Sequence, residues 1–120
     1  MRETNLNNGT VIVGSVELDT GYPAREAFGL EDRVIVLLDP DGYLKDPDYP
    51  KERRRGKDAL RNLRAYSTSG ELLWEAEFPE PVDYYYKIVS RSPLVALSFS
   101  SYRCRIDPAT GKIIEAEFLK

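Results

Sequence analysis

The residue types that most often perform chemistry are scarce in this sequence. Its 120 residues contain no histidine and one cysteine, Cys104. The commonest general base, zinc ligand and triad partner is therefore missing, and a Cys–His nucleophile cannot be built. Aspartate and glutamate total 20, so a pair of carboxylates for glycosidase-like acid–base work exists by count, but no spacing singles one out. Asp39-Pro40-Asp41-Gly42, followed by Asp46 and Asp48, concentrates carboxylates on a turning backbone as calcium loops do. The alternation fails, because a third ligand before the glycine is absent and position 48 is aspartate where a glutamate is needed. Pro-Asp-Gly is read as turn chemistry instead. No glycine-rich phosphate cradle or dinucleotide fingerprint is present. The sequence thus predicts no catalytic residue, no metal and no cofactor.

Residues suited to recognition are easier to find. Residues 51–64 hold seven Lys and Arg against two acids, a local charge of +5 in a chain of net −3, which leaves −8 for the remainder. The core of that run, Arg53, Arg54 and Arg55, is a candidate contact for an acidic protein surface. Nucleic acid is disfavoured, since the acidic body repels a polyanion. The triplet Tyr84-Tyr85-Tyr86 is the second candidate. In a strand Tyr84 and Tyr86 share one face and Tyr85 takes the other, so at least one ring is expected in the core and the rest at a recognition surface.

The elements that would position these residues read as strands. A chain of this length fits one domain, residues 1–120, with a hydrophobic fraction of 42% that supports a packed core. β-branched and aromatic residues cluster in short runs, which predicts an all-β fold. Val11–Leu18 is expected as the first strand, with Ile12, Val16 and Leu18 on one face and Gly14 at a bulge. Asn8-Gly9-Thr10 is a turn before it. Residues 20–30 are ambiguous between a helical turn from Pro23 to Phe28 and irregular chain. Arg33–Asp39 is apolar on both faces and reads as a central strand covered on both sides. A long loop or insertion spans 40–58, and 58–64 could hold a short helix. Three hairpins follow: 62–66 with 71–78, 82–90 with 94–99, and 102–106 with 112–118. Their predicted inward faces carry Leu72, Trp74, Ala76 and Phe78, then Tyr102, Cys104 and Ile106. Buried there, Cys104 is expected to be an inert thiol.

Glu75-Ala-Glu-Phe78 recurs as Glu115-Ala-Glu-Phe118, offset by 40, while the turn glycines Gly70 and Gly111 are offset by 41. One copy must hold an extra residue, for which a bulge near Leu72 to Trp74 is the expectation. A strand, then Ser67-Thr-Ser-Gly70 or Asp107-Pro-Ala-Thr-Gly111, then Glu71-Leu-Leu-Trp74 or Lys112-Ile-Ile114, resembles the blade hairpins of β-propellers of the quinoprotein-like and WD-like kind. The likeness spans about residues 60–119. The ending from Tyr102 to Ile114 also resembles that of short, uncharacterised bacterial proteins. A closed propeller needs at least four blades, whereas seven or eight strands make two at most. The expected architecture is an antiparallel meander folded on itself as an open sheet, small sandwich or barrel, and a homodimer would cover its edges.

These observations point to a non-enzymatic, protein-binding module, of the kind that serves as an inhibitor or immunity-type partner. Two other readings remain open: a small carboxylate-dependent hydrolase or lyase, and a ligand-binding half-propeller that assembles as an oligomer. The first ten residues lack the apolar stretch of a signal peptide and no run is long enough to span a bilayer, so neither secretion nor membrane insertion is expected. With a single cysteine and no disulfide to form, a reducing cytoplasm is the expected compartment.

Overall fold

Five consecutive buried residues, Val34 to Leu38, organise the fold. In the computed structural model, which describes residues 3–45, 60–81 and 83–119, they lie on a strand whose side chains alternate between two separate cores. Ile35 and Leu37 enter one core with Phe28, Leu63, Trp74, Tyr85, Leu94 and Ile106. Val34, Val36 and Leu38 enter the other with Val11, Val13, Leu18, Tyr43 and Tyr66. Each such side chain contributes about 1.5–3 kcal/mol on burial, a gross gain that the entropy of ordering the chain largely offsets.

The described residues form eleven strands and one short helix. A first sheet contains β1 (Thr4–Asn7), β2 (Thr10–Val13) and β3 (Val16–Glu17). The second runs in chain order through β4 (Ala24–Leu30), β5 (Arg33–Leu38), β6 (Leu63–Ser67) and β7 (Leu72–Glu75). The third does the same with β8 (Tyr85–Ser90), β9 (Leu94–Ser98), β10 (Tyr102–Ile106) and β11 (Ile113–Phe118). All pairings are antiparallel, and none of the sheets closes into a barrel. The second sheet is the middle layer of a sandwich-like domain, with a core on each face. The all-β class, the doubly covered strand at 33–38 and the pairing of the three hairpins after residue 60 stand as the sequence reads, but Leu72, expected on the inward face with Trp74, is 50% exposed, because the bulge at Leu73 sets it beside Tyr66 on the other face.

Four further readings are corrected. Val11–Leu18 is not one strand: Gly14, at φ +62°, turns the chain between β2 and β3, and Val11 and Val13 are buried where Ile12 is only half-buried. Asn8 and Gly9 both have positive φ, the conformation of a two-residue hairpin turn, so the turn joins two strands and adds β1 before it. Residues 24–30 are strand β4, neither helical nor irregular; pairing with β5 overrides the weak Pro23–Gly29 helix signal. Part of the expected loop is helical. Asp39 caps α1 (Pro40–Leu44) by accepting from the Asp41 N–H at 3.0 Å, with Pro40 in the first turn. Residues 46–59, including most of that loop, lie outside the described residues.

The internal repeat is real in connectivity but sits differently from its sequence words. In the β6–β7 hairpin Leu73 is bulged, between the pairs Ala65–Trp74 and Tyr66–Leu72. Ile114 is bulged in the same way in the β10–β11 hairpin. The bulge predicted at 72–74 is therefore present, but it has a counterpart and is not the extra residue. That residue lies in the turn: Ser67 N–H reaches Glu71 O across five residues, whereas Asp107 N–H reaches Lys112 O across six. β7 and β11 thus correspond at an offset of 41, one position away from the Glu-Ala-Glu-Phe words. The consequence is visible in the two phenylalanines, since Phe78 packs against the core and Phe118 is 54% exposed.

Candidate functional site

The third sheet has one face in the core and one in solvent, and its outward face carries an ordered ladder of side chains. Register places Leu97 beside Arg103 and Arg103 beside Glu117; the next row is Val95, Arg105, Glu115. Arg103, Arg105, Glu115 and Glu117 are exposed, as expected for the two arginines, while Val95 and Leu97 are half-buried. Successive strands therefore present apolar, basic and acidic rows.

Aromatic groups gather where β9 turns into β10. The Phe99 N–H bonds to the Tyr84 carbonyl at 2.9 Å, and the two rings stack with centroids 5.0 Å apart. Phe99 is 66% exposed. Tyr102 and Phe118 are register partners whose rings lie 5.1 Å apart, and the Tyr102 hydroxyl donates to Glu80 Oε1 at 3.2 Å. That bond, with burial and the glutamate charge behind it, raises the pKa of Tyr102. The turn itself is held by Asp83, which is buried and accepts from the N–H groups of Tyr84 and Ser100 and from the Ser100 hydroxyl. Its carboxylate is committed to fixing the Phe99–Ser101 turn.

The tyrosine triplet divides among three environments. Tyr85 is fully buried and donates to the Glu77 carbonyl at 2.6 Å. Burial pushes its phenol far above the ordinary range, so it stays protonated. Tyr86 is bulged out of the β8–β9 pairing and is exposed, and Tyr84 is half-buried under Phe99. The core thus takes Tyr85, leaving Tyr84 and Tyr86 at the surface. Arg53, Arg54 and Arg55 lie outside the described residues. Cys104 is buried as predicted, and desolvation raises its pKa, which keeps the thiol protonated.

Sheet edges decide where a partner strand could add. At β8, Asn62 donates to the Tyr85 carbonyl at 2.7 Å and accepts from the Tyr85 N–H at 3.0 Å, while Arg25 donates to the Tyr86 carbonyl. β8 also carries two bulges, at Tyr86 and Val89. β4 is bulged at Arg25, lies against β1 and donates its Ala24 N–H to Gly9. β7 has four residues, one of them, Leu73, bulged. β11 has six residues, and beyond Ile114 its pairing with β10 is regular. Sequence reasoning missed Phe99, Phe118 and this edge. An exposed Phe beside a Ser-Ser turn carries no pattern that separates it from a core Phe.

An open cleft of about 410 Å³ lies elsewhere, between the β1–β2 turn and residues 17–23. It holds two carboxylates, Glu17 and Asp19, both exposed to water, and Asp19 accepts from the Gly21 N–H. No dry wall separates their environments, as an acid–base pair would require. Asp39, from the calcium-like segment, is engaged by Arg25 at 2.8 Å as well as by the helix N-terminus. Among the described residues no three His, Cys, Asp or Glu side chains are grouped to hold a metal ion. None of the described helices is long and apolar enough to cross a membrane.

No curated protein and no solved structure matches the chain. A family model described as a domain of unknown function, DUF7957, matches residues 1–118, and the chain belongs to that family.

Proposed function

We propose that this chain is a non-catalytic protein-binding module that engages its partner through the third sheet. One observation carries the reading: of nine large apolar side chains exposed among the described residues, six belong to that sheet or the residues flanking it, namely Tyr86, Val89, Phe99, Ile114, Phe118 and Leu119. Aromatic groups on a rigid strand scaffold lose little conformational freedom on binding, which suits them to anchor an interface. The acidic body favours a basic target, as an inhibitor or immunity-type protein would have. A single buried thiol is compatible with a reducing compartment, and the reading assigns the chain to the cytoplasm.

The test is photo-cross-linking in cells from a benzoylphenylalanine placed at position 99, with position 6, an exposed leucine of the first sheet, as the control. The reading expects a discrete adduct from 99 and none from 6. Absence of an adduct from 99, or equal adducts from both, removes it. Reversing Arg53, Arg54 and Arg55 to glutamate tests the basic run separately, since unchanged cross-linking and salt dependence would exclude it from the interface.

A second reading is supported by the succession of two four-stranded meanders packed on a common core, the relation of neighbouring propeller blades. The half-apolar outer face of the third sheet would then meet another copy in a ring. Light scattering separates the two, because a ring requires a defined oligomer and a strict monomer excludes it.

A further inference from the structure

We infer that the free edge of β11 receives an extended partner segment in which basic and apolar residues alternate, so that the third sheet gains a fifth strand. The inference deepens the protein-binding reading and rests on it. Among the described residues β4 lies against β1, β8 is tied by Asn62 and Arg25, and β7 has only four residues with a bulge at Leu73; β11, bulged at Ile114, is regular over Glu115–Phe118 with no described element along its outer edge. The Leu119 N–H bonds to the Ser101 carbonyl, and alternation from there directs the N–H and C=O groups of Ala116 and Phe118 away from β10. At the start of the strand the Ile113 N–H is taken by Glu77 Oε1 at 2.9 Å, which sets where an added strand must stop.

Chemistry of the two faces selects the occupant. On the outward face the rows Leu97–Arg103–Glu117 and Val95–Arg105–Glu115 end on acids at the free edge. A strand laid beside them sets its own side chains opposite Glu115 and Glu117, where a basic residue extends the alternation of charge and an acidic one opposes it. On the other face Ala116 and the ring of Phe118 are exposed and call for apolar neighbours. A second copy of this chain is disfavoured wherever the pairing spans Glu115–Glu117. Antiparallel self-pairing centred on Ala116 opposes Glu115 to Glu117, and pairing centred on Glu117 opposes that residue to itself.

The probe is an N-acetylated eight-residue peptide alternating valine and lysine, with a valine–glutamate peptide as its counterpart, titrated into the full chain and followed by fluorescence anisotropy and backbone amide shifts. The valine–lysine peptide is expected to bind about tenfold more tightly, from two cross-strand charge pairs, and to shift the amides of residues 115–118. The double variant Glu115→Lys/Glu117→Lys should reverse that preference. Ala116→Pro removes an outward N–H without touching the bonds to β10 and should abolish binding, with an unchanged circular dichroism spectrum confirming the fold. Equal affinities for the two peptides, binding that survives Ala116→Pro, shifts confined to Val95 and Leu97, or a dimer joined through β11 would each overturn the inference. Failure of both peptides to bind, with cross-linking from position 99 intact, overturns strand addition and leaves the broader reading standing; loss of both removes both.

Discussion

Gly111 lies directly beneath the only tryptophan of the chain, and replacing it with alanine tests how the two four-stranded sheets are joined. Its φ is +76°, and a Cβ built on it would come within 2.6 Å of Trp74 Cε3 and 2.7 Å of Cδ2. Trp74 cannot simply retreat, because its indole N–H donates to the Pro108 carbonyl at 2.9 Å, which also accepts from Arg33 at 2.7 Å. The left-handed backbone costs about 1 kcal/mol for alanine, and overpacking against a fixed ring adds about 2 kcal/mol. Gly111→Ala is thus expected to lose about 3 kcal/mol, a fall in urea midpoint on the order of 2 M. Gly21→Ala is the control, since Gly21 has a similar φ of +78° with nothing within 4 Å of its added Cβ; it should lose only the backbone share, about 1 kcal/mol. Both are measured by urea titration using the fluorescence of Trp74. If the two variants fall within about 0.5 kcal/mol of each other, the ring is not held against the turn and the packing argument fails.

Three further outcomes follow from buried polar groups. Asn62 is fully buried and joins Leu38 to Tyr85 through three hydrogen bonds, so Asn62→Ala should cost about 3 kcal/mol in urea titration, and a loss below 1 kcal/mol would contradict that bridging role. Cys104 should react with iodoacetamide only as fast as the protein opens, whereas modification of the folded chain at the rate of a free peptide thiol would show it to be accessible. Burial raises both Cys104 and Tyr85 above their ordinary values of 9.0 and 10.0. Unfolding lets them ionise, so above about pH 9 the unfolded chain holds fewer protons than the folded one and stability falls as pH rises. The melting temperature should decline across pH 9–11, less steeply in Cys104→Ala and in Tyr85→Phe; identical slopes in all three would refute the linkage.

Much of the fold is legible in the sequence because one- and two-sided burial leave different patterns. Val34–Leu38 is uniformly apolar and becomes the strand between two cores, while Tyr102–Ile106 alternates and becomes a strand with one wet face. Reading fails where pairing is decided from outside the segment. Ala24–Leu30 carries a proline before it and a glycine within it, and only the neighbouring β5 makes it a strand. Bulges are mostly silent: the repeat offset points to the one at Leu73, but Tyr86, Val89 and Ile114 each break an alternation that the residue types would continue. The candidate surface was half visible. Tyr84 to Tyr86 drew notice by composition, but which ring is buried depends on a bulge and on Asn62, more than 20 residues away. Phe118 reads as core by analogy with Phe78, and the one-residue longer turn before β11 moves it to the edge.

Amide hydrogen exchange on the isolated chain, read residue by residue by NMR, bears most directly on the claim that the third sheet ends in an open edge. The amides of Val34 to Leu38 should exchange only through global unfolding. Along β11 protection should alternate, with Glu115 and Glu117 slow against β10 and Ala116 and Phe118 fast. Uniform protection along β11, persisting on dilution, would mean that this edge is already covered and would contradict the account.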